Sequence, residues 1–294
     1  MRDTDIAWAD ATFNPQRGCS GERCQLTKLG LCYAENMETA YGRDFKKVVL
    51  TTPEYWQQPR QWEIEAAAIG KAYRVFVGSL MDFNDRQNRG WQEDFFSMVS
   101  MTPHLVYMLL SKIPERYPET LPADWGEGYA NVWLGASVLN AEDFRRNTKS
   151  LRAVKAARRF LSAEPLMGPI KDPDLTGIDQ LIVGGCSGPK WKDHVMPMAW
   201  AVDLYHAATK QKVAYFFKQV SARRDEQGID EIGRALDGKP RIIREVPPYV
   251  YPWAEMRTKG DSVSKTQREP DTVPHDRGGL SSVSSTTQQT SERQ

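Results

Sequence analysis

Three of the four cysteines, Cys19, Cys24 and Cys32, fall in one short segment with the spacing C-x4-C-x7-C. No histidine stands near them; the four histidines are His104, His194, His206 and His275. A closed structural zinc site takes four ligands, usually from close CxxC pairs. Three thiolates leave one coordination position open. On a four-iron cluster that position is an iron free to bind a cosubstrate. S-adenosylmethionine (SAM) would chelate it through its amino and carboxylate groups, and the cofactor would supply the radical chemistry. Spacing alone leaves the cluster open alongside a zinc site completed by a remote residue, or three ordinary thiols.

Such a loop needs a scaffold, and the chain supplies a recurring one. Short apolar runs stand at Val75–Val77, Leu105–Leu110, Val132–Leu134, Arg159–Leu161, Leu181–Val183 and Val213–Phe217. Their spacing suits a strand, a helix and two turns. Continuous apolar runs are the mark of parallel strands covered on both faces. Between them lie helix-compatible stretches at Gln92–Ser100, Ala141–Ala157 and Ala199–Lys210, with Asn140 placed to cap the second. The pattern predicts an α/β fold with a parallel sheet. Six strands, with another near the N-terminus, predict a partial or complete β/α barrel. There is no GxGxxG fingerprint and no P-loop.

The runs end in small and polar residues: Gly78-Ser79-Leu80-Met81-Asp82, Ser111-Lys112, Gly135-Ala136-Ser137, Ser162-Ala163-Glu164-Pro165, Gly184 through Pro189, and Lys218-Gln219. Glycine and serine alone make turns. Their repetition at every strand end, together with Asp82, Lys112, Glu164 and Lys218, marks the C-terminal rim, where parallel β/α folds bind ligands.

The chain has 39 Lys and Arg against 38 Asp and Glu, a formal net charge of +1. That balance argues against a protein held to nucleic acid mainly by phosphate neutralisation, though a local groove stays open. The run Arg145, Arg146, Lys149, Arg152, Lys155, Arg158 and Arg159 reads either as a solvated outer face or as a phosphate-contacting groove. The first residues carry acid and no apolar run, and no stretch is long enough to cross a bilayer, so a cytoplasmic protein with reduced thiols is expected and no membrane partner. From residue 257 the chain is rich in Ser, Thr, Gln and Gly and nearly without large apolar residues. The expected division is a catalytic domain over 1–256 and a disordered tail over 257–294.

Several ordered blocks resemble a phage and bacterial family of radical-SAM-like proteins with a three-cysteine motif. They are Phe13-Asn14-Pro15, Gly18-Cys19, Cys32-Tyr33-Ala34-Glu35, Asp124 through Glu127, Val132 through Gly135, Phe160 through Pro169, Val183 through Pro189, and Phe216-Phe217-Lys218-Gln219. The similarity covers roughly residues 5 to 220. It implies a barrel of the radical SAM type, a [4Fe–4S] cluster on Cys19, Cys24 and Cys32, and SAM as cosubstrate. Ser79, Ser137, Tyr33 and Lys218 become candidate cofactor contacts, and Glu164, Asp82 and Cys186 candidate catalytic groups. An electron donor such as a flavodoxin or ferredoxin is expected.

Two departures stand out. The family's second and third cysteines lie closer together than Cys24 and Cys32, and Cys186 replaces the usual glutamate of V-G-G-E-S-G-P. A lone cysteine after a strand reads first as a small buried residue and second as a thiol on the rim.

The resemblance further implies a phage setting, in which such enzymes take part in thymine hypermodification that protects viral DNA from restriction. The expected reaction is an isomerisation: an amino acid attached to the thymine methyl group through nitrogen is shifted to attachment through its α-carbon. Arg145, Arg152 and Arg159 would then position phosphates around a flipped base. A tRNA or small-molecule substrate, a cluster protein without catalysis, and a zinc-stabilised nucleic-acid-binding module remain open alternatives.

Overall fold

The computed structural model describes residues 4–88 and 90–247. The chain divides into two units, Met1–Glu255 and Met256–Gln294. The second unit, and with it the tail expected from residue 257, lies outside the described residues.

Seven parallel strands form one sheet: β1 (Ala11–Phe13), β2 (Tyr73–Val77), β3 (Leu105–Ser111), β4 (Val132–Ser137), β5 (Arg158–Ala163), β6 (Gln180–Gly184) and β7 (Ala214–Gln219). They pair strictly in chain order, β1 to β7, each parallel to the next. β1 and β7 are edges that do not pair with each other, so the curled sheet is a half-barrel rather than a closed one. All six apolar runs of the sequence are strands, and β1 is the additional strand expected near the N-terminus.

The two faces of each strand divide by the period of two. Val75, Val77, Tyr107, Leu109, Leu134, Ala136, Leu161, Ala163, Leu181, Val183, Tyr215 and Phe217 face the helical layer in the larger core. Gln58–Ile69, Gln92–Met101, Ala141–Arg152 and Met198–Lys210 are the main helices of that layer. Phe76, Met108, Trp133, Phe160, Ile182 and Phe216 face the concave side, and Trp8, from the segment before β1, packs among them. Trp8 lies 4.7 Å from the Phe76 ring and 6.1 Å from Phe160. Gly135 makes room on this face: a Cβ there would fall 2.2 Å from the Phe160 ring.

Asn140 is the N-cap, its side chain accepting from the N–H groups of Glu142 and Asp143 at 3.0 Å. The helix stops at Arg152, earlier than the apolar pattern suggested. There the Arg159 guanidinium donates to the Leu151 and Val154 carbonyls, satisfying the helix end so that the chain can turn into β5. Among the described residues, no helix is long and apolar enough to cross a membrane.

Three buried phenols brace this core. Tyr107 bonds Thr102 at 2.8 Å, Tyr117 donates to the Leu109 and Gly135 carbonyls at 2.8 Å each, and Tyr215 donates to the Ala201 carbonyl at 2.9 Å. Burial pushes all three above the ordinary phenol value of 10.0. The folded state therefore keeps protons that the unfolded chain releases, so their contribution is intact below pH 10 and is lost as pH rises above it. Each raised group costs about 1.4 kcal/mol per pH unit in that range, about 4 kcal/mol for the three. Urea midpoints taken from pH 9 to 11 should fall steeply, and Tyr117→Phe should make the fall shallower. An unchanged slope would remove Tyr117 from this account.

Candidate functional site

β1 delivers the cysteine segment to the C-terminal rim. Directly after it, Asn14 donates to Ser79 Oγ at 2.9 Å and accepts from the Leu80 N–H at 2.8 Å, tying the end of β1 to the loop after β2. A short antiparallel ribbon, Gln16–Arg17 with Val49–Leu50, then carries the chain outward. Gly18 has φ +100°, and a Cβ there would lie 2.8 Å from the Phe45 carbonyl, so the close approach requires glycine. Cys19 follows at once, its N–H donating to that same carbonyl. Cys24 precedes the short helix Gln25–Lys28, and Cys32 is the N-cap residue of the helix Tyr33–Ala40.

All three cysteines line one cavity of about 150 Å³, together with Tyr33, Phe76, Ser79, Asp82, Asp85 and Lys112 among others. The cavity thus joins the cysteine loop to the ends of β2 and β3. The four cysteines are free thiols. Among the described residues, no group of three or more His, Cys, Asp and Glu is arranged to hold a metal ion.

Two carboxylates shape the cavity wall. Asp85 Oδ2 accepts from Cys19 Sγ at 3.2 Å, from the Ser20 N–H at 2.9 Å and from the Ser20 hydroxyl at 2.5 Å. Burial, then Asp82 and Asp85, push the Cys19 thiol far above its ordinary value. Binding any metal there must expel the thiol proton, and Asp85, which accepts the thiol's hydrogen bond, stands where that proton leaves. Asp82 is almost wholly enclosed, accepting from Ser111 Oγ at 2.6 Å, the Asn84 N–H at 3.0 Å and the Lys112 N–H at 2.8 Å. With these bonds made, its carboxylate braces the ends of β2 and β3. Lys112 is half-buried in the same wall. Burial opposes its charge, but Cys24, Asp82, Cys19 and Cys32 outweigh that and hold the ammonium above its ordinary value.

Further along the rim, Lys218 pairs with Glu164, and Trp8 Nε1 donates to the other Glu164 oxygen at 3.4 Å. Burial opposes the Lys218 charge, but Glu164, with Asp225 and Glu226, outweighs that and holds the ammonium above its ordinary value. Gly184 lies between the two residues, its missing Cβ 3.4 Å from each side chain. Ser137 and Ser162 are neighbours in register on the concave face. Glu164, Lys218 and Ser137 do not line the cysteine cavity; Glu164 and Lys218 form a second polar group on the rim.

Of the remaining candidates, Tyr33 lines the cavity and is 62% exposed. Cys186 is buried away from the cavity, with its N–H donating to Ser221 Oγ at 3.2 Å and its sulfur 3.6 Å from the Ser187 carbonyl. Burial raises its thiol. The first reading of Cys186, a small residue packed after a strand, is the one its surroundings support.

For the basic run, the surroundings support the solvated-face reading. Arg158 and Arg159 begin β5, at the end of the sheet opposite the rim. Arg146 pairs with Asp143, Arg152 with Asp174, Lys155 with Glu127 and Arg158 with Asp179, while Arg159 caps helix carbonyls. Arg152 and Arg159 are thus committed to protein partners and do not border the cavity, and the phosphate role expected for them finds no support. Asp85 and Trp8 were not anticipated. The acidic residue three positions after Asp82, on the same rim loop, was the available signal for Asp85; no local signal marks Trp8.

A family model described as a protein of unknown function (DUF5131) matches residues 3–247 of the chain. Neither the search of curated proteins nor the search of solved structures found a match.

Proposed function

This chain belongs to the DUF5131 family, and we propose that it is an iron–sulfur enzyme of the radical SAM type. The observation that carries the reading is the meeting of Cys19, Cys24 and Cys32 on one cavity at the C-terminal rim of a parallel half-barrel. The donor set fits. Three thiols from one loop, on a four-iron cluster, leave one iron open for a cosubstrate. When bound, the cluster and SAM supply a one-electron reduction that yields a carbon radical.

The chain's own residues do the rest. Cys19, Cys24 and Cys32 hold the cluster. Asp85 orients Ser20, next to Cys19. Asn14 fixes the Ser79 hydroxyl on the cavity wall. Glu164 and Lys218 present a charged pair further along the rim, where a polar substrate can be oriented beside the cosubstrate. We assign the substrate as an amino-acid-bearing thymine in DNA and the reaction as an isomerisation; this assignment rests on the resemblance of the motif blocks.

The test is anaerobic reconstitution with iron and sulfide, followed by reduction with flavodoxin or dithionite and addition of SAM and DNA bearing N-linked glycyl-thymine. Broad visible absorbance, SAM cleavage and a nucleoside isomer of unchanged mass are expected. Tight zinc uptake without a cluster would overturn the enzyme class. SAM cleavage with the starting nucleoside unchanged would overturn the substrate alone.

A further inference from the structure

Lys112 differs from the described arginines near the cysteine loop, which are paired. Arg17 and Arg43 pair with Glu38, Arg23 with Glu115 and Arg86 with Glu22, and Lys190 donates to the Leu29 carbonyl. The Lys112 ammonium makes no hydrogen bond or ion pair among the described residues, although it stands in the cavity wall with all three cysteines. The nearby Asp82 does not satisfy it, because that carboxylate is bonded to Ser111, Asn84 and the Lys112 backbone. Lys112 is also the only lysine or arginine among the residues lining the cavity. A half-buried ammonium with no protein partner, lining the same cavity as three thiols, is placed to meet an anion that they hold.

We propose that Lys112 is the built-in counter-cation of the metal–sulfur group held by Cys19, Cys24 and Cys32, matched to a bound group that carries net negative charge. This rests on the iron–sulfur reading and deepens it. Three thiolates make a cluster anionic, and each added electron makes it more so. A fixed cation beside it favours both retention of the cluster and its reduction. Lys112 is a positioning and tuning residue in this account, with no contact to substrate required.

Lys112→Met keeps the length and apolar stem and removes the charge. The readouts are iron retention and midpoint potential. In the reconstituted protein the variant should lose iron to a chelator roughly 10- to 100-fold more readily, the usual effect of removing an outer partner of a metal site. The midpoint potential, followed by electron paramagnetic resonance, should become more negative, and Lys112→Arg should restore it towards wild type. A loaded Lys112→Met with unchanged iron retention and potential overturns the assignment. If the wild type takes up zinc and no cluster, the radical reading falls while Lys112 is still tested: weaker zinc affinity in Lys112→Met supports the counter-cation and equal affinity overturns it. A wild type that binds neither overturns both.

Discussion

Cys19→Ala, Cys24→Ala and Cys32→Ala are each expected to abolish the iron–sulfur chromophore, while Cys186→Ala leaves it intact. The three loop cysteines share one cavity, and Cys186 packs against Ser187 and Ser221 away from it. A four-iron cluster with three protein ligands does not keep its site when one is lost, so bound iron should fall from about four per chain to a small fraction of one. Colorimetric iron and sulfide assays after reconstitution check this, with circular dichroism confirming that each variant folds. The Cys24 variant is the most informative, because its distance from Cys32 departs from the family spacing. If Cys24→Ala keeps full iron while Cys19→Ala and Cys32→Ala lose it, the ligand set must be redrawn. Loss in Cys186→Ala would place a thiol in the site that the fold keeps apart from it.

The second large effect concerns Asp82. Its carboxylate satisfies Ser111 Oγ, the Asn84 N–H and the Lys112 N–H in an almost fully enclosed position. Asp82→Ala leaves those donors without an acceptor, at about 1–3 kcal/mol for each group left unsatisfied. A total loss of about 3–5 kcal/mol is expected from urea denaturation of the metal-free protein. Asp82→Asn keeps the shape and one acceptor oxygen, but opposes an amide N–H₂ to one of the donors, so a smaller loss of about 1–2 kcal/mol is expected. A catalytic carboxylate predicts the reverse pattern, with stability preserved and turnover lost. Wild-type stability in Asp82→Ala would therefore return Asp82 to the catalytic candidates.

The strands were legible because burial on both faces forces continuous apolar runs, and each of the six runs became part of β2 to β7. The Asn140 cap was legible because capping needs only a side chain within three residues of the N–H groups it accepts from. The cysteine loop was legible as a unit because residues so close in sequence can meet whatever the rest of the chain does. In each case the physics acts over a few residues, and sequence carries it directly.

What only tertiary structure decided depends on residues brought together from afar. Asp85 reaches Cys19 across 66 positions, and Trp8 reaches Glu164 across 156. The basic run looked like a continuous charged face. Folding brings it Asp174, Asp179 and Glu127 from other segments and sets the start of β5 at the end of the sheet away from the rim. Residue type alone placed Cys186 on the rim and among the candidate thiols, but packing encloses it away from the cavity. Whether the sheet closed depended on pairing between β1 and β7, the two strands farthest apart in the chain, and they remain edges. By itself the sequence determined which segments are strands and that three thiols share a loop. The fold decided which distant charges meet those thiols, because the Coulomb and burial energies that shape a site depend on distances that sequence spacing does not set.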